Sequence, residues 1–150
     1  MKKSLIAKII EILFKIILIL GIISILFIPK IYGLLKGDNA ISFNDQTIYY
    51  KIMFYMSYII CLGIVYMLNY IFKSIYKSSP FIKKVEISLK IVAILFMILC
   101  LIVLLKAFYM PTILSFGVIV VTFITSLCFY TLSQIFKVAI EYKNEVDFTI

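Results

Sequence analysis

Four stretches of this chain carry no charged side chain, and lysines stand at their edges. They cover residues 16–29, 52–72, 91–105 and 107–136. The hydrocarbon core of a bilayer takes about 20 consecutive, mostly apolar residues per spanning helix. The second and fourth stretches meet that length outright, and the first and third meet it once their amphipathic shoulders are included. The pattern predicts an all-α fold, a four-helix transmembrane bundle forming a single integral membrane domain over residues 1–150. Composition agrees: the chain is 65% hydrophobic with a mean hydropathy of +1.18, whereas a soluble domain has about 45–50% apolar residues.

The expected helices cover about 4–28, 49–75, 80–109 and 112–146. Pro29 lacks a backbone N–H and biases Ile28 away from helical geometry, so it reads as the stop of the first helix. Residues 30–51, with Gly37-Asp38-Asn39-Ala40 as a turn, read as an exposed loop. Ser79-Pro80 is a start signal for the third helix, with serine as N-cap and proline at the first helical position. Pro111 punctuates a very tight connection, which makes the third and fourth helices an antiparallel hairpin. Beyond Phe136 the apolar positions Val138, Ala139, Tyr142 and Val146 keep helical spacing among charged residues, so a helical extension leaves the membrane. Tyr49, Tyr50, Tyr55 and Tyr58 at one end of the second helix, and Tyr66, Tyr70 and Tyr76 at the other, resemble aromatic belts at the two interfaces.

All fifteen basic residues are lysine, and the net charge is +8. Direct nucleic-acid binding is a poor reading of that charge, because the arginines that make bidentate base and phosphate contacts are missing. The lysines read instead as topology residues facing a lipid bilayer with anionic headgroups. Lys2, Lys3, Lys8, Lys15, Lys73, Lys77, Lys83, Lys84, Lys90, Lys137 and Lys143 fall on one predicted side; Lys30, Lys36, Lys51 and Lys106 fall on the other. The positive-inside rule therefore predicts that both termini are cytoplasmic. Met1-Lys2-Lys3 looks like the start of a signal peptide, but no A-x-A-like cleavage site follows, so the segment reads as a retained first helix. The Lys/Ile/Phe/Tyr bias suggests an AT-rich bacterial coding sequence, and with it a multi-pass protein of the bacterial cytoplasmic membrane.

Catalysis needs titratable groups gathered in a shielded site. This chain has no histidine and no acidic residue in the middle of a predicted helix. Asp38 and Asp45 read as solvated loop residues, and Ser24, Ser57, Ser126 and Ser133 have no base partner. Cys61, Cys100 and Cys128 read as small apolar residues within helices, not as a disulfide framework or metal site. No enzyme activity, cofactor or metal is therefore expected. Glu11 is the one carboxylate near the membrane interior, and its spacing from Lys15 predicts an i,i+4 ion pair. Asn69, Thr122, Thr125, Ser126, Ser133 and Gln134 are candidates for interhelical hydrogen bonds. Thr122, Thr125, Ser126 and Ser133, with Gly117 above them, read as one packing face of the fourth helix.

Two stretches carry a family resemblance. One is Ser79-Pro80-Phe81 followed by a lysine-bearing interfacial helix. The other is residues 134–150, a helix leaving the membrane that closes on Asp147-Phe148-Thr149-Ile150. Over its whole length the chain resembles domain-of-unknown-function family 2975, small bacterial four-helix membrane proteins. Phe148 stands where the family usually has leucine, Val146 where a polar residue is common, and residues 82–84 are less acidic than is typical. The resemblance implies no established activity, catalytic residue or cofactor. Members often occur beside a small helix-turn-helix transcription regulator, which implies a membrane partner for a cytoplasmic DNA-binding protein.

The expected role is thus a non-enzymatic membrane protein that binds or regulates a cytoplasmic partner, such as that regulator, or another membrane protein. The expected partner-binding residues are Pro80 and Phe81 at the helix start, and Glu141, Glu145, Asp147, Phe148 and Ile150 in the tail. Two alternatives stand beside it. One is a small oligomeric transporter or channel using Glu11 or the Thr122/Ser126 face, and the other is an immunity protein against a membrane-active toxin.

Overall fold

Isoleucine and valine restrict χ1 and weaken helices in water. Lipid reverses the balance, because every backbone N–H and C=O must be satisfied within the chain. The computed structural model describes residues 2–34, 48–77, 83–109, 111 and 113–148, with side chains over 8–27, 52–75, 83–108, 111 and 113–146. The described residues form four α-helices: α1 (Lys2–Leu34), α2 (Ile48–Lys77), α3 (Lys83–Tyr109) and α4 (Ile113–Phe148). Each holds a span long and apolar enough to cross a membrane: Lys8–Phe27, Ile52–Ile75, Lys83–Phe108 and Ile113–Val146. Glu86 in the first turn of α3 and Lys106 in its last complement the helix dipole.

The helix ends differ from expectation at Pro29, which does not stop α1; the helix continues to Leu34. Proline removes one hydrogen bond, to the carbonyl of Ile25, but a helix can carry that single loss. Residues 30–34 of the expected loop are therefore helical, and α2 begins at Ile48, one residue before its expected start. The Ser79-Pro80 start signal and residues 35–47 lie outside the described residues.

The helices pack as chain neighbours only: α1 on α2, α2 on α3 and, most extensively, α3 on α4. Among the described residues α1 meets neither α3 nor α4, so the four helices do not close into a ring. The core joins Ile64 and Ile71 of α2 to Val85, Leu89, Val92 and Leu99 of α3, with Phe129 and Phe136 of α4 packed against it. No described residue of α1 belongs to that core, and none of its span is fully buried.

Helix α2 serves two neighbours with opposite faces. Tyr58, Leu62, Phe72 and Lys73 share a stripe toward α1, whereas Ile60, Ile64, Met67 and Ile71 share the stripe toward α3. Contacts between α1 and α2 run antiparallel, from Glu11–Lys73 through Phe14–Phe72 to Ser24–Tyr58. The start of α1 and the end of α4 consequently lie at one end of the molecule.

Candidate interaction surfaces

Three surfaces hold the polar groups that the sequence singles out. The first is the seam between α3 and α4. Ser133 Oγ donates to the Glu86 carbonyl at 3.2 Å, Ser126 Oγ to the Ala93 carbonyl at 2.8 Å, and Cys100 Sγ to the Ile119 carbonyl at 3.6 Å. The partners step by seven residues along both helices in opposite directions. A seven-residue repeat keeps one seam of each helix facing the other with a left-handed supercoil. Small side chains at these positions let the backbones approach closely enough for a hydroxyl to reach the facing carbonyl. The Phe96 and Phe129 rings stack beside the seam, with centroids 5.7 Å apart.

This seam is packed, not hollow: Ser115, Thr122, Ser126 and Ser133 are all buried, Ser133 at 1% exposure. Two members of the expected face lie elsewhere. Thr125 turns its hydroxyl onto its own helix at the Val121 carbonyl, 2.7 Å away. Gly117 sits on the outward side, where an added Cβ would meet nothing within 4 Å. At about 100° per residue, its five-residue offset from Thr122 carries it well round the helix. Cys100 is a hydrogen-bonding group of the seam as well as a small filler, whereas Cys61 and Cys128 are exposed.

The second surface lies between α1 and α2. Gly21 allows the close approach: a Cβ there would stand 2.5 Å from Leu62 Cδ2. Beside it the Ser24 and Tyr58 hydroxyls meet, donating to the Gly21 carbonyl at 2.8 and 2.9 Å. Tyr58 is therefore an interhelical clasp and not part of an interfacial belt, while Tyr66 and Tyr70 do face outward. Its aromatic body suits both settings, so only the arrival of α1 distinguishes them.

At the far end of this seam Glu11 Oε1 lies 3.0 Å from Lys15 Nζ and 4.0 Å from Lys73 Nζ. The i,i+4 partner follows from spacing; Lys73 comes from the neighbouring helix and has no local signal. Between the two polar clusters Asn69 falls on the α1-facing stripe of α2, and its Oδ1 is buried without a hydrogen-bond partner. Gln134, the other amide expected to bridge helices, is exposed.

The third surface is the end of α4. At about 1.5 Å per residue its 36 residues extend about 54 Å. A hydrocarbon core of about 30 Å accommodates roughly 20 of them. The remaining turns exceed that thickness, and the charged part of the helix begins at Lys137, whose Nζ lies 3.9 Å from Glu141 Oε1. Along this segment Ile135, Val138, Tyr142 and Val146 are exposed at 63, 64, 69 and 45%. Their spacing aligns them as one narrow apolar stripe. Glu141 and Glu145 are exposed on the same segment, one turn apart.

The other expected binding residues are placed less fully. Asp147 and Phe148 belong to α4, but their side chains lie outside the described residues, as do Pro80, Phe81 and Ile150 altogether. The apolar stripe is legible in the spacing of Val138, Tyr142 and Val146, whereas its exposure is a property of the fold. No group of three or more His, Cys, Asp or Glu residues able to hold a metal occurs among the described residues. Comparison with known proteins returns no matching family model, curated protein or solved structure.

Proposed function

We propose that this chain is a non-enzymatic, multi-pass protein of the bacterial cytoplasmic membrane that docks a cytoplasmic protein on the emerging end of α4. One observation carries the reading: Ile135, Val138, Tyr142 and Val146 form an exposed apolar stripe, flanked by Glu141 and Glu145, on a helix that outruns the bilayer. An amphipathic helix with anchors at such spacing is the form that hydrophobic grooves of partner proteins accept. The lysine bias puts this end, with both termini, in the cytoplasm. The resemblance to domain-of-unknown-function family 2975 makes a small helix-turn-helix transcription regulator the partner of choice.

The acidic flank supports a partner with a basic rim, which a DNA-binding protein supplies. Tyr142→Glu places a charge in the centre of the stripe while leaving the membrane spans untouched. It is expected to weaken capture of the co-expressed regulator by at least tenfold in a detergent pull-down. Equal capture by the variant and the original chain would sink the proposal.

A further inference from the structure

The outward face of α3 combines a pair of exposed lysines with an apolar track. Lys83 and Lys90 stand seven residues apart, two turns along one face, with exposed Ile87 between them. Below Lys90 the same face continues through Ile94, Ile98 and Leu101, exposed at 50, 40 and 55%. These residues lie within the Lys83–Phe108 span, so the face is a cationic head on an apolar track.

Among the described residues, no ion pair compensates the charge at its head. Glu86 stands three residues after Lys83 and four before Lys90, the spacings at which helical ion pairs form. It nevertheless forms no ion pair within 4 Å to either, and it is half-buried beside the seam where its carbonyl receives Ser133. The lysines of α1, α2 and α4 that do pair, Lys15, Lys73 and Lys137, have already found carboxylates. Lysine at this depth extends its ammonium toward the headgroup layer while its methylenes stay on the apolar surface.

We propose that this face of α3 binds an anionic phospholipid, with the phosphate held by Lys83 and Lys90 and the acyl chains lying along Ile94, Ile98 and Leu101. A free phosphate would satisfy the ammoniums alone and make no use of the apolar track. The lipid satisfies both, and it is present at high local concentration wherever the helix is inserted. The assignment is independent of the α4 docking surface, which uses another helix.

The test is native mass spectrometry of the intact chain in detergent, titrated separately with phosphatidylglycerol, phosphatidylcholine and inorganic phosphate. Retention of phosphatidylglycerol over phosphatidylcholine is expected, with inorganic phosphate unable to displace it. The double substitution Lys83→Gln/Lys90→Gln should weaken phosphatidylglycerol binding by about thirtyfold, at about one surface-lysine contribution per residue removed. Lys106→Gln, near the opposite end of α3, should leave binding unchanged. Equal retention of the two lipids, displacement by phosphate alone, or an unaltered affinity in the double variant would each overturn the assignment.

Discussion

The α3–α4 hairpin and the α1–α2 pair are both antiparallel and both built of helices long and apolar enough to cross a membrane, yet they are joined by different means. Along α3 and α4 the contact is distributed. The Ser133–Glu86, Ser126–Ala93 and Cys100–Ile119 contacts repeat every seven residues, and each joins a side chain to a carbonyl of the facing helix. Between α1 and α2 it is concentrated at a few points: the Phe14–Phe72 stack at 5.4 Å, the Gly21–Tyr58–Ser24 clasp and the Glu11–Lys73 pair. Lipid tails are as apolar as leucine, so burying α1's isoleucines against protein has no hydrophobic reward, and packing geometry and polar contacts must hold the helix. The hairpin is the most extensively packed pair of the molecule, and α1 is a helix clasped onto α2 at the edge.

The largest effect is expected in the hairpin. Ser133→Leu forces three extra carbons into a site at 1% exposure and removes a hydrogen bond. It should cost about 2–4 kcal/mol of unfolding free energy. Denaturation in mixed micelles measures it, and a loss below about 1 kcal/mol would show that the seam is looser than its geometry implies.

The clasp comes next. Tyr58→Phe removes the hydroxyl that joins Ser24 and the Gly21 carbonyl. A cost of about 1 kcal/mol is expected, and it should appear as wider spin-label distances between α1 and α2 with α3–α4 distances unchanged. If the hairpin distances moved too, the division into centre and edge would be wrong.

Asn69→Leu runs in the opposite direction. The Oδ1 of Asn69 is buried and unpaired, and replacing such a group with an apolar one of similar shape removes its desolvation penalty. Stabilisation of about 1 kcal/mol is expected, read as a higher melting temperature in detergent. A destabilised variant would mean that this amide has a partner in the membrane.

The smallest effect belongs to Glu11→Gln. Its carboxylate is 24% exposed and its lysines are 57 and 46% exposed, so the ion pairs should contribute at most about 1 kcal/mol. Flux measurements in liposomes give this variant a second use. Any ion or drug flux by the original chain that vanished in Glu11→Gln would favour the transporter reading over the docking reading.

Much of this architecture was legible in the sequence. Charge-free stretches of bilayer length have only helices as a solution in lipid, so the four spans follow without any knowledge of contacts. The tight Pro111 connection likewise made the hairpin legible, and the Glu11–Lys15 spacing its local pair. Other signals misled because they are local while the outcome is not. Pro29 is a strong stop signal in water but a tolerable defect in a membrane helix. Tyr58 looked like a belt residue because its sequence neighbours are tyrosines, and the spacing that separates Gly117 and Thr125 from the seam is visible only once the direction of α3 is known.

The sequence by itself determined four helices long and apolar enough to cross a membrane and one helix longer than a bilayer core, because these depend only on transfer of side chains and backbone from water to lipid. Only the tertiary structure decided which helix would be central and which peripheral. Apolar side chains do not choose between lipid and protein on hydrophobicity alone. The choice rests on whether small residues and hydroxyls on one helix meet carbonyls on the next, and that register exists only between folded neighbours.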